Sequence, residues 1–332
     1  MRLGSPLPLL LPPLLLAGLS LTIGSVAVPI REVIAAVAGT LDPESVNAII
    51  LLDIRLPRVL VALGGGAMLA LAGLIMQTVF RNALAGPGVL GVGSGAGLGV
   101  AVVMLSPVAG RIATPTVLAA TAGALFVLTL ILTVDRYLDQ TVLVLVLGLL
   151  FSYAASALAQ VLMAGADPEG LQRYVYWSFG SFAVAPGWPQ IAFPPAAIGA
   201  TVLLRALASR MDTLLLGDLY AESSGIDLRV LRRTLLLVAG VLVGLCTAVC
   251  GPIAFLGVAV PHIARGIAAS ARHRFLVPAT ALIGASLAVT ADLVSRLPGS
   301  DRVLPLNAVL SLVGVPVIVV VLLRSGRGRL SL

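Results

Sequence analysis

Side chains able to do chemistry are few in this 332-residue chain, and they are far apart. All 21 basic residues are arginine and none is lysine. A P-loop sets a lysine against the β- and γ-phosphates of ATP, and imine chemistry needs a lysine amine; neither is available here. Cys246 and Cys250 stand four apart inside an apolar run, which suits small packing residues better than a metal or redox pair. His262 shares the string Pro261-His-Ile-Ala-Arg265 with an arginine, and a lone imidazole in such a place reads as a structural hydrogen-bonding group. There is no H-E-x-x-H string, and two histidines without lysine make a nucleophile–base pair or metal cluster a poor expectation. No catalytic residue, no metal site and no cofactor bound by this chain are expected.

The run Gly91-Val-Gly-Ser-Gly-Ala-Gly-Leu-Gly99 imitates a dinucleotide loop but lacks the G-x-G-x-x-G spacing and a preceding strand. Coiled as a helix, it would carry Gly91, Gly95 and Gly99 on one face and Gly93 and Gly97 on another. Small residues four apart let helix backbones approach closely in lipid, where van der Waals contact replaces the hydrophobic drive. Gly64, Gly65, Gly66 and Gly73 are read in the same way.

The elements that position these residues follow from composition. Hydrophobic residues make up 59% of the chain and charged residues only 11%, against about 45–50% and about 25% in a soluble domain. At about twenty apolar residues per crossing, the chain can span a bilayer about ten times. Aromatics are 5% of residues and no alternating ten-residue segments occur, so the spans are helices and not barrel strands. The expected fold class is all-α, a polytopic membrane protein with about ten transmembrane helices in one domain over residues 1–332. Apolar runs place the spans near 7–28, 57–79, 84–105, 115–134, 141–163, 188–207, 234–251, 252–269, 275–294 and 303–323.

With the N-terminus inside, 14 arginines fall on the inner side and 7 on the outer, which predicts cytoplasmic N- and C-termini. The excess of arginine belongs outside the membrane core and does not point to nucleic acid. Long outer segments are predicted at 29–56, with an amphipathic piece from Arg31 to Ala38, and at 164–187. The inner segment Arg210 to Arg233 mixes Leu214, Leu215, Leu216 and Leu219 with Asp218, Glu222 and Asp227. Two short helices separated by Gly225 would offer one apolar face to a cytoplasmic partner. Proton- or sodium-coupled carriers usually hold ionisable groups near the midplane. No Asp or Glu lies near the middle of any predicted crossing, Asp292 being close to the outer end of the ninth, which argues against a secondary carrier.

Specific strings then occur in order. They are Arg55-Leu-Pro-Arg58, Gln77 with Phe80-Arg-Asn-Ala-Leu-Ala85, Pro87-Gly-Val-Leu-Gly91, and Trp177-Ser-Phe-Gly-Ser181. After them come Leu216-Gly-Asp218 with Ala221 and Gly225, Gly251-Pro-Ile-Ala-Phe-Leu-Gly257, Pro261-His-Ile-Ala-Arg265 and Ala291-Asp-Leu-Val-Ser-Arg296. From about residue 20 onward this set resembles the FecCD-type permeases, membrane subunits of importers for iron–siderophore, haem and cobalamin.

The resemblance implies a protomer paired with a second copy of itself around a central path. Two ATPase subunits, which would carry ATP and Mg, would dock from the cytoplasm, and a periplasmic substrate-binding protein would deliver cargo at a bacterial inner membrane. Segment 210–229 would be the ATPase-coupling element, with Leu214, Leu215, Leu216, Gly217, Asp218, Ala221 and Gly225. Asn82 and Leu84 would line the inner gate, faced by Gln140 or Thr141. Arg55, Arg58 and Arg296 would meet glutamates of the binding protein. The first two sit at a helix N-terminus, where the macrodipole disfavours cations, which suggests an external anion. The string from Pro87 looks more like haem and cobalamin members than siderophore members, and the expected order of cargo is haem first, siderophore second and cobalamin third. Two departures stand out: Ala83 where the family usually has proline, and Val303-Leu-Pro-Leu-Asn307 where it usually has Glu-Leu-Pro-x-Gly.

Overall fold

A computed structural model describes residues 7–24, 26–105, 116–137, 141–184, 186–268, 270–296 and 303–327. After a 3-10 turn at Leu7–Leu10, the first helix α1 runs Leu11–Thr22 and α2 runs Ile30–Val37. The short α3, Val46–Ile49, passes through a π-helical turn at Ile50–Arg55 directly into α4, Leu56–Val79. Next come α5 (Val92–Leu105), α6 (Thr116–Val134), α7 (Thr141–Ala164) and α8 (Pro168–Ser178). α9 (Trp188–Ala206), α10 (Ala208–Leu215) and α11 (Asp218–Ser223) follow. The chain ends with α12 (Leu228–Cys250), α13 (Leu256–Ala268), α14 (His273–Ser295) and α15 (Leu306–Arg327).

Among the described residues, five helices are long and apolar enough to cross a membrane, and the pair α9–α10, bent by 60°, makes a sixth. Four shorter apolar helices, Pro8–Thr22, Val92–Leu105, Leu256–Ala268 and Leu306–Val320, occupy the places of the remaining expected spans. The third span is shorter than its apolar run. Pro87–Leu90 forms a 3-10 turn and Gly91 takes a left-handed φ of 71°, so the helix starts only at Val92. Gly91 is therefore a hinge before the glycine helix and not part of its packing face.

α4 is the hub. Nearly every residue from Val61 to Val79 is buried, and the helix packs against α14, α9, α12 and α13. Glycine makes this crowding possible. A methyl group on Gly73 would overlap the carbonyl oxygen of Gly257, and one on Gly66 would overlap Gly284 O and Ala288 Cβ. In the same way Gly95 and Gly99 of α5 lie against the backbone of Gly123 and Ala119 on α6, whereas a methyl group on Gly93 or Gly97 would make only ordinary contacts, with Thr247 or with Tyr174 and Trp177. One of the two glycine faces seen in the sequence thus packs tightly and the other does not. Because overpacking a fitted interface costs about 1–3 kcal/mol or more, Gly73→Ala is expected to lower the thermal unfolding midpoint of the detergent-solubilised protein. Gly97→Ala is expected to leave it unchanged. Equal midpoints for the two variants would contradict the contact.

Cys246 and Cys250 are buried in α12, the former against the Gly65 carbonyl, as packing residues. Asn307 explains one sequence departure. Its Nδ2 donates to Pro252 O at 2.7 Å and its Oδ1 accepts from Ala254 N–H at 3.0 Å, tying the start of α15 to the α12–α13 loop.

Candidate functional site

The C-terminal end of α4 gathers most of the predicted site residues. α4 stops because Phe80 caps it and Arg81 adopts a positive φ of 46°, turning the chain into a loop. Asn82 accepts the Leu84 backbone N–H on its side-chain oxygen at 2.9 Å, an Asx turn that rigidifies the loop. Leu84 itself is 48% exposed. His262 Nε2 lies 2.8 Å from Ala83 O, so that nitrogen carries the proton and donates; the imidazole is structural, as its isolation suggested. Gln77 Nε2 donates to Val258 O at 3.2 Å. Thr141 opens α7, while its side chain, that of Leu219, and Gln140 lie outside the described residues.

Around this loop sits segment 210–229, and its anatomy differs from the expectation in two ways. The break between its two short helices is at Gly217, whose φ of 114° only glycine adopts easily. Gly225, with φ 76°, ends the second helix instead. Nor do the leucines share one face. Leu214 and Ala221 are buried, Leu215 is half-buried, and Leu216 stands 66% exposed beside exposed Tyr220. Consecutive residues on a helix point about 100° apart, so three adjacent leucines cannot all meet one partner. Leu214 and Ala221 anchor the segment; Leu216 and Tyr220 are what it displays.

A residue that sequence reasoning had not singled out binds this segment to the loop. Arg81 Nε donates to Leu214 O at 2.8 Å, and its Nη2 pairs with Asp218. Asp218 also receives Arg232 Nη2 at 2.7 Å. Burial pushes the Asp218 carboxyl up, but the Arg232 and Arg81 guanidiniums outweigh it and hold it below the usual carboxylate range. A depressed carboxyl contributes above its unfolded pKa and loses that contribution as pH falls through the folded one, so the clasp is intact near neutrality.

A second cluster lies where the C-terminal ends of α1 and α14 meet the N-terminal end of α4. Here the three expected docking arginines converge, but on internal partners. Arg55 is 5% exposed, donating to Leu21 O at 2.6 Å and to Val26 O. Arg58 Nε reaches both oxygens of Asp292, at 2.8 and 3.0 Å. Arg296 Nε lies 3.3 Å from Asp292 Oδ2, and its Nη2 meets Ser20 Oγ. Asp292 is 1% exposed. The macrodipole argument for an external anion therefore fails as stated, since the protein supplies the anion itself. What survives is the charge balance: Arg58 and Arg296 share one carboxylate and, among the described residues, Arg55 is held by backbone carbonyls alone.

A family model described as the FecCD transport family matches residues 11–324. The hemin transport system permease protein HmuU of Yersinia pestis is 37% identical over 287 residues, 84% of each chain. The vitamin B12 import system permease protein BtuC of Vibrio parahaemolyticus is 34% identical over 284 residues, again 84% of each. A solved structure of a metal-chelate type ABC transporter in an inward-facing conformation superposes with a TM-score of 0.83 at 28% identity, covering 96% of this chain and 98% of that one.

Proposed function

The chain belongs to the FecCD transport family, and on that premise we propose that it is the permease subunit of an ATP-driven importer carrying haem into the cytoplasm of a bacterium. A lysine-free chain has no P-loop of its own, so the motor is a separate ATPase, two copies of which hold ATP and Mg. The observation that carries the reading is the inner face. An exposed apolar pair, Leu216 and Tyr220, is mounted on a segment clasped through Arg81 to the loop at the end of α4. A soluble partner seated on that pair would move the loop.

Asn82 and Leu84 then form the inner gate. Leu84 is half-exposed while its neighbours are held, which suits a side chain that meets its equivalent from a second copy. The outer arginine cluster, in which Arg58 and Arg296 share the single buried carboxylate of Asp292, receives acidic side chains of a periplasmic binding protein through its surplus positive charge. Both termini face the cytoplasm in this reading, on the arginine asymmetry.

The string Pro87-Gly-Val-Leu-Gly-Val-Gly-Ser-Gly-Ala96 favours haem or cobalamin over ferric siderophores, and the 37% identity to a hemin permease puts haem first. The B12 relatives at 34–36% identity raise cobalamin to the second reading, ahead of ferric siderophores, which reverses the order expected from the sequence. The test is reconstitution of the permease with its ATPase and binding protein in liposomes, followed by ATP-dependent uptake of haem, cobalamin and a ferric siderophore in parallel. Saturable haem uptake at least tenfold above the other two is the expected result. Preferred uptake of cobalamin would replace the cargo, and ATP-independent uptake would overturn the importer reading.

A further inference from the structure

One buried polar line at the inner face has no part in the argument so far. It joins Asp212 of α10, His273 at the first residue of α14, and Thr78 in the last turn of α4. Asp212 Oδ1 lies 2.6 Å from His273 Nδ1 and accepts the His273 backbone N–H at 2.9 Å. His273 Nε2 lies 2.8 Å from Thr78 Oγ1, which is 2.8 Å from Leu74 O. His273 is 1% exposed and Thr78 2%. The N-cap of α14, Arg272, makes no side-chain cap bond, so Asp212 caps that helix from another element.

The protons fix the line. A carboxylate only accepts, so His273 Nδ1 carries a hydrogen. Around Thr78 Oγ1 stand two groups, the Leu74 carbonyl and His273 Nε2, and the hydroxyl has one proton. With a neutral ring the hydroxyl donates to Nε2; with a charged ring Nε2–H donates to the hydroxyl, which then donates to Leu74. In both states the ring is held at its two ends and cannot rotate without stranding a buried polar atom, which is far costlier than stretching the bond. The Arg81–Asp218 clasp is different in kind. Its side chains are 35% and 46% exposed, so water can replace either partner, whereas in the line water reaches only Asp212, at 36%, and not His273 or Thr78.

We infer that Asp212, His273 and Thr78 form the strut that transmits displacement of the coupling segment to the inner end of α4 and the loop after it. The inference rests on the coupling role proposed for residues 210–229. These three are positioning residues, acting on the gate through α4. Thr78 is two residues from Phe80, where that loop begins, and Asp212 is four from Leu216, the most exposed of the segment's described leucines.

The experiment uses the complete complex in liposomes and reads haem transported per ATP hydrolysed. Thr78→Val should lower that ratio about tenfold, the size expected for loss of a coupling element, with the ATPase still bound and hydrolysing. Thr78→Ser should restore it to within about twofold, because it returns the hydroxyl; a purely steric role would not be rescued by the smaller residue. Asp212→Ala, at the more exposed end, should reproduce the loss, and the double variant should be no worse than either single one. A Thr78→Val ratio within twofold of the parent, failed rescue by serine, or multiplicative losses in the double variant would each overturn the strut. If Leu216→Asp leaves ATPase binding and the ratio intact, the coupling reading itself falls, an outcome distinct from those three.

Discussion

Leu216→Asp is expected to abolish ATP-driven uptake while the permease inserts and folds as before. The leucine is 66% exposed at the tip between α10 and α11, so folding loses little when it is replaced. A partner that buries it would instead have to bury an unpaired carboxylate. Central anchors of such interfaces are worth about 2–4 kcal/mol, a weakening of roughly 30- to 1000-fold. Co-purification of the ATPase and uptake should fall together, with the melting curve unmoved. Leu214→Asp is the informative contrast: that side chain is 1% exposed, and its replacement should cost folding itself. Wild-type ATPase association in Leu216→Asp would show that the partner seats elsewhere.

The second large effect concerns stability. Asp292→Leu should destabilise the protein by about 3–5 kcal/mol, the cost of leaving buried cations without their anion. Arg58 and Arg296 are 13% and 10% exposed at their side chains and both rely on that carboxylate. Expression and the thermal midpoint in detergent report the loss. Arg58→Leu combined with Asp292→Leu should recover much of it, since only Arg296 then lacks its ion partner and it keeps Ser20. A single Asp292→Leu variant with the parent midpoint would mean that water or lipid phosphate already serves these arginines. The same arithmetic shows why charge reversal at Arg58 would be a poor probe of docking: it would place two carboxylates side by side in a buried site.

Much of the fold is legible in the sequence, because a span is defined locally by its apolar run and the charges that end it. The α4, α7 and α14 boundaries lie within two residues of those runs. The early start expected for the third span fails for a local reason too, a left-handed glycine inside an apolar string. The site is legible only in part. Leu84 and the 210–229 segment could be found by position, but which leucine faces out depends on the rotation of two short helices set by Gly217. The pairs that organise both faces were out of reach. Arg58 meets Asp292 across 234 residues and Thr78 meets His273 across 195. No periodicity links residues so distant; only the placement of α4 between α13, α14 and α9 does. Asp212 and His273, read one at a time, are an ordinary acid and an ordinary histidine near a helix end.

The central position of α4 also has a consequence for how the protein is made. α4 is the second crossing to leave the ribosome, yet the groups it needs, Asp292 for Arg58, His273 for Thr78 and the Gly257 backbone for Gly73, belong to the eighth and ninth. At about 5–20 residues per second, the 234 residues between Arg58 and its anion take roughly 10–50 s to synthesise. Throughout that interval a glycine-rich helix waits in the bilayer without its neighbours, its arginine reaching for headgroups at the outer surface. A ribosome that stalls before α14 would release a chain whose core helix has nothing to pack on. Membrane quality control would meet that unfinished core as its substrate.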